Sequence, residues 1–292
     1  MDPATLGTLC ALGSAITWAV TSLLVRSLNP HFTSVGINAL RSAVGGALLT
    51  AYVLATGGVQ PFLAVSGWAL LLMTVSIVAA IGVGDTLFFE STRTLGLGRA
   101  MTITTSYPVL AAILAATFLD EPLTLPVVVG TLMTLGGLTL IVMTKADGGA
   151  EGIPWIGVGA AALAAVGWAV SVVLMKAPLR EVDATLAQAI RIPIAALLLF
   201  CTPWARGSLG ALRASRGTAL ARFALLSALT AVSSVMFVAS IKYVGVTVAS
   251  VLSSTAPLFA IPLGVVFLGE RLPLLAVLGA VVTVAGIVVL RL

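Results

Sequence analysis

Charge is scarce in this chain, and its scarcity excludes most soluble functions. Only 10 acidic and 15 basic residues occur among 292, while 60% of residues are hydrophobic and the mean hydropathy is +1.17. A soluble fold needs more polar surface than this. With one histidine, His31, in a short connector, and two cysteines, Cys10 and Cys201, there is little material for a metal site or a disulfide framework. The two thiols stand in apolar stretches and are expected to be buried, reduced packing residues. No phosphate-binding loop, zinc-ligand spacing or nucleophile elbow occurs, so no cofactor, no metal and no catalytic group is expected, and the chain does not read as an enzyme. The net charge of +5 is not interleaved with aromatics, so no nucleic-acid partner is expected. The opening MDPATLGTLCALGSAITWAV lacks the basic leader of a cleavable signal, so the first helix should be retained.

What the chain does have is long apolar runs. Ten of about 20 residues, the length that crosses roughly 30 Å of hydrocarbon, are read at 6–25, 33–55, 68–90, 100–119, 125–143, 153–175, 185–204, 223–243, 248–268 and 274–290. They are too long and too continuously apolar for barrel strands. Helices remain, because lipid leaves no other way to satisfy the backbone.

Self-similarity organises these runs. WAVTSLLVR at 18–26 matches WAVSVVLMK at 168–176, and ALRSAVGGALL from Ala39 matches AIRIPIAALLL from Ala189, both at an offset of 150. YPVLAAILAATFLDEPL from Tyr107 matches APLFAIPLGVVFLGERL from Ala256 at an offset of 149, and Gly130 and Gly137 recur as Gly279 and Gly286. Two repeats follow, 1–146 and 152–292, joined by the polar TKADGGAEGIP. Five spans per repeat is an odd number, so the second repeat enters the membrane from the opposite side. The expected fold is an all-α membrane protein, ten transmembrane helices in two inverted five-helix repeats around a central cavity.

These features together resemble the drug/metabolite transporter superfamily, EamA type: the five-plus-five plan, the early Trp18 and Trp168, Arg41 and Arg191 in the second span of each half, and the endings at 108–121 and 257–270. The resemblance implies export or exchange of small organic solutes, amino acids leading, without ATP. The chain is accordingly expected to be a multi-pass protein of the plasma (inner) membrane, with a small-molecule solute and membrane lipid as partners, as a monomer or a homodimer.

Arg41 and Arg191 are guanidiniums at an expensive depth. They read either as structural pillars paired inside the bundle or as contacts for an anionic group of the cargo. Recurrence in both halves favours structure. Asp85 and Glu90 recur in neither form, since Ser234 and Ala239 stand at their counterparts. Those acids are therefore candidates for a substrate ammonium or a proton, against pairing with Arg41 or Arg93. TITTSYP from Thr102 and SVLSSTAP from Ser250 place hydroxyls just before Pro108 and Pro257, where a helix should kink and free the carbonyls of Thr104 and Ser253. Thr104, Thr105, Ser106, Tyr107, Ser253 and Ser254 become candidate solute contacts, or small residues for close packing.

Trp18 and Trp168 lie inside their spans instead of at the interfacial belt, as cavity walls or as packing. Trp18 could also offer a ring face to an organic cation. The glycines seven apart should let the fifth and tenth helices approach closely, as scaffold or dimer surface. Glu121 and Glu270 precede the first turns of those helices. Arg206, Arg213, Arg216 and Arg222 follow the seventh span, where anionic headgroups or topology marking explain them. Nine basic residues fall on the side away from the termini and four on the termini's side, which places both termini outside. The reading is a secondary transporter or facilitator. A multidrug exporter of cationic compounds, or a lipid-facing flippase-like or scaffold component, is the alternative.

Overall fold

The computed structural model describes residues 1–28, 32–95, 100, 103–143, 154–215, 217–256, 258–259 and 274–290; of Ser22, Leu23, Arg26, Thr92, Arg93, Val142 and Met143 the backbone alone is described. His31, Arg216, Pro257 and Glu270, all named above, lie outside the described residues. Helices form α1 (Pro3–Leu28), α2 (Ser34–Gly57), α3 (Gly67–Ile77), α4 (Thr86–Leu95), α5 (Tyr107–Phe118), α6 (Leu125–Met143), α7 (Trp155–Lys176), α8 (Ala184–Phe200), α9 (Ser208–Ala214), α10 (Thr218–Ser253) and α11 (Leu274–Leu290). No strand occurs among the described residues. A π-helical stretch, Val78–Asp85, joins α3 to α4 into one span. Helix α10 holds the eighth span and the start of the ninth, separated at Gly245, whose φ of 82° and ψ of 171° interrupt the helix.

Local chemistry sets several starts. Thr33 caps α2 by accepting from Gly36 N (3.0 Å), and its counterpart Asp183 caps α8 by accepting from Leu186 N (2.8 Å). The seventh span stops at Phe200, short of the expected 204, and the chain turns by 89° into the segment that carries α9. The arginine-rich connector is thus partly helical and crosses α8 at a right angle, the attitude of a segment lying along the membrane surface. Cys10 is half-buried and Cys201 exposed; both are free thiols, so burial of Cys201 was wrongly expected. Its place one residue beyond the end of α8 accounts for the exposure.

Close contacts fix how the repeats sit. In α6 and α11, Gly137 faces Thr283, and its counterpart Gly286 faces Thr134; Gly130 faces Leu290, and Gly279 faces Ile141. A Cβ on Gly130 would stand 2.6 Å from the nitrogen of Leu290, so only glycine permits this approach. As numbers rise along α6 they fall along α11, which makes the helices antiparallel. Helices α2 and α8 behave alike: Gly46 packs on Pro193, and Thr50 Oγ1 donates to Ala189 O at 3.1 Å. Gly7 of α1 lies against Tyr243 and Val244, while Gly157 of α7 lies against Thr94 and Leu95, an image of the same contact. Each of these helix pairings maps onto itself or onto its counterpart, as a dyad in the membrane plane requires.

The fourth and ninth spans are broken at matching places. Ser106 N bonds Ile103 O (3.1 Å) and Val109 N bonds Ser106 O (3.0 Å); 149 residues later, Thr255 N bonds Leu252 O (3.2 Å) and Leu258 N bonds Thr255 O (2.9 Å). These are tight i→i+3 turns. Pro108 sits buried in the first turn of α5, where its missing N–H costs nothing.

Candidate solute-binding cavity

Between the repeats lies a cavity of about 270 Å³. Spans one to four and six to nine supply its described wall; α6 and α11 do not reach it. The repeats are therefore divided into a lining and a scaffold.

On one side of the wall stands a carboxylate held by three donors. Asp85 Oδ2 accepts from Arg41 Nη2 and from Asn38 Nδ2, each at 3.3 Å, and Asp85 Oδ1 accepts from Trp168 Nε1 at 2.9 Å. Arg41 Nε donates to Asn38 Oδ1 at 2.6 Å, and its Cζ lies 5.5 Å from the Trp18 ring centre. The π-helical stretch makes the Trp168 contact possible. It brings Gly84 against Trp168 and Gly167, where a side chain on either glycine would collide with the neighbouring span. Phe88 and Tyr107 pack on Trp168 with centroids at 5.4 and 5.8 Å, and Tyr107 OH donates to Ser250 O at 3.1 Å.

The opposite side holds Arg191, only 5% exposed. Its Nη1 donates to Gln188 Oε1 (2.7 Å), and its Nη2 donates to Ser76 Oγ (2.8 Å) and Ser171 Oγ (3.3 Å). Its Nε has no partner among the described residues, and no described carboxylate pairs with it. A charge at bilayer depth costs roughly 2.5–3.5 kcal/mol on insertion scales. Arg41 offsets that with a counter-ion and Arg191 with neutral oxygens alone. The amide three residues before each arginine recurs, Asn38 and Gln188.

Of the two roles open to Asp85, contact with cargo or pairing with Arg41, the structure shows the pairing. Trp18 likewise turns its ring toward Arg41. Trp18, Thr104, Thr105, Tyr107, Trp168, Ser253 and Ser254 line the cavity together with Arg41 and Arg191. Glu90 is exposed on α4 and Ser106 is exposed with its hydroxyl donating to Ile103 O (2.7 Å); neither lines it. Sequence reasoning passed over Asn38, Gln188, Ser76 and Ser171. The two amides were within reach, since i, i+3 neighbours share a helix face; the two serines come from other spans and carry no pattern.

On the side of both termini the cavity is backed by apolar packing. Val172, Met175, Leu179, Val182, Val238, Ile241 and Val246 pack there in one apolar cluster. Glu121 accepts from Val246 N (2.8 Å), Thr247 N (3.2 Å) and Thr247 Oγ1 (3.2 Å), capping the helix that restarts after Gly245. This corrects its expected place at the start of α6: the break at Gly245 frees N–H groups nearer to hand. Lys176 Nζ lies 3.6 Å from Glu121 Oε1 and donates to Ile241 O at 3.1 Å.

The EamA-like transporter family matches residues 5–143 and again 155–292. The chain belongs to that family. An uncharacterized transporter, YvbV, of Bacillus subtilis (strain 168) is 26% identical over 142 residues, 47% of this chain and 44% of its own. The match spans less than half of that relative. A solved crystal structure superposes over 99% of this chain and 95% of its own with a TM-score of 0.78 at 22% identity, a likeness of fold alone. Membership of the EamA-like family fits a multi-pass membrane protein in which each repeat is one copy of the family unit.

Proposed function

We propose that this protein is a secondary transporter of small organic solutes in the plasma membrane, working by alternating access. One observation carries the reading: a metabolite-sized cavity lies where two antiparallel repeats meet, with Glu121, Lys176 and the apolar cluster around Val246 packed on its termini side. Two similar, oppositely threaded units can exchange conformations, and the exchange moves the opening from one face to the other. The cavity, about 270 Å³, is close to the lower end of small-molecule pockets at about 300 Å³. That suits a compact solute better than a lipid. A cationic cargo fits the wall less well, because both oxygens of Asp85 already accept from protein donors.

Counterflow in proteoliposomes tests this. Vesicles preloaded with one member of a panel of amino acids, monocarboxylates, nucleosides and polyamines should take up the same labelled solute faster than protein-free vesicles, without ATP. No acceleration for any member would overturn the reading.

A further inference from the structure

We propose that Arg191 is the binding group for the carboxylate of a small organic monoanion, and that the cavity selects such anions over their neutral and cationic isosteres. The proposal rests on the transport reading of the cavity and adds the chemical class of the cargo.

Guanidinium offers five N–H donors in a fixed fork that matches a carboxylate. Arg191 uses its Nη atoms on three neutral oxygens, from Gln188, Ser76 and Ser171; its Nε, enclosed by protein, has no partner among the described residues, and no described carboxylate neutralises the charge. It is 95% buried yet borders the cavity. The repeats supply an internal comparison. Arg41, its counterpart, is neutralised by Asp85, whereas the counterpart of Asp85 is Ser234, which also borders the cavity. The described wall thus holds two guanidiniums and one carboxylate, a formal charge of +1. One bound monoanion makes it neutral.

Other wall groups complete the match. Thr230 and Ser253 also belong to the wall, and their enclosed hydroxyls have no hydrogen-bond partner among the described residues, so a rotation of either side chain would bring a donor to an anion's oxygens. Phe88, Phe237 and Trp18 give the remainder of the solute an apolar surface. A zwitterion would also need a counter-charge for its ammonium, and the charge of Asp85 is already paired with Arg41. Simple carboxylates are therefore favoured over amino acids.

The test is binding to the purified full-length protein in detergent, read by thermal shift and titration, with benzoate, benzamide and benzylamine as probes of equal size. Benzoate should bind at least tenfold more tightly than benzamide, with benzylamine weakest. Arg191→Gln should abolish the preference for benzoate over benzamide. Ser234→Asp, which places an acid where the first repeat has Asp85, should abolish it too while leaving Arg191 in place; it keeps the test decisive should Arg191→Gln not fold. Wild-type binding of benzamide or benzylamine as tight as benzoate, no benzoate binding, or wild-type benzoate affinity in Ser234→Asp would overturn the proposal. Counterflow of neutral or cationic solutes that is indifferent to Arg191 would overturn this proposal and leave the transport reading intact. Arg191-dependent benzoate binding without any counterflow would do the reverse.

Discussion

Trp168 and Asp85 belong to different repeats and are joined by a hydrogen bond of 2.9 Å across the cavity wall. The bond ties the one acid of the described wall to the opposite half of the molecule, while Arg41 and Asn38 hold the same carboxylate from its own half. Asp85 is thereby a strut between the halves.

Removing that strut should be costly. Truncating one member of a buried ion pair typically costs about 3–5 kcal/mol in soluble proteins, because the other charge is left uncompensated. Asp85→Asn should lower the melting temperature clearly, and Asp85→Asn combined with Arg41→Gln should recover much of the loss. A thermal-unfolding double-mutant cycle with no coupling between the two positions would contradict the pairing.

The scaffold should fail symmetrically. A side chain at Gly137 meets the backbone of α11, and one at Gly286 meets the backbone of α6. Gly137→Val and Gly286→Val should each destabilise by about 1–3 kcal/mol, the usual range for overpacking. Unequal effects, with one variant as stable as wild type, would argue against an equivalent pair of contacts.

Glu90 and Ser106 stand outside the cavity. Glu90→Gln and Ser106→Ala should leave the affinity for a transported solute within about twofold, by the same titrations. A tenfold loss in either would place the binding site elsewhere.

Glu121 should act on the access equilibrium. Glu121→Gln weakens the cap at Val246 and the ion pair with Lys176, interactions of about 0.5–2 kcal/mol for a cap. In a background with Cys10→Ser and Cys201→Ser, a reporter Ala80→Cys in the cavity wall should then react several-fold faster with an impermeant maleimide added from the termini's face. An unchanged rate would show that this cluster does not hold the closure.

Much of the fold was written in composition and repetition. Apolar runs set the spans, and glycines seven apart at Gly130, Gly137, Gly279 and Gly286 marked the α6–α11 contact because the 3.6-residue period puts them in line. The site was less legible. Self-alignment makes Arg41 and Arg191 look equivalent, and nothing local says that Asp85, 44 positions on, would neutralise the first and leave the second. The cap from Glu121 to Val246 spans 125 positions and arises only once the repeats interleave. The π-helical stretch, set by the close approach of Gly84 and Gly167, has no periodic signal of its own.

The most direct measurement of the central claim is two-sided labelling of the Ala80→Cys reporter in oriented vesicles, in the background lacking Cys10 and Cys201. The cysteine should react from both faces of the membrane, and a disulfide formed between Glu121→Cys and Val246→Cys should abolish reaction from the termini's face alone. Reaction from one face only before the lock, or from both faces after it, would contradict a cavity that the two repeats expose in turn.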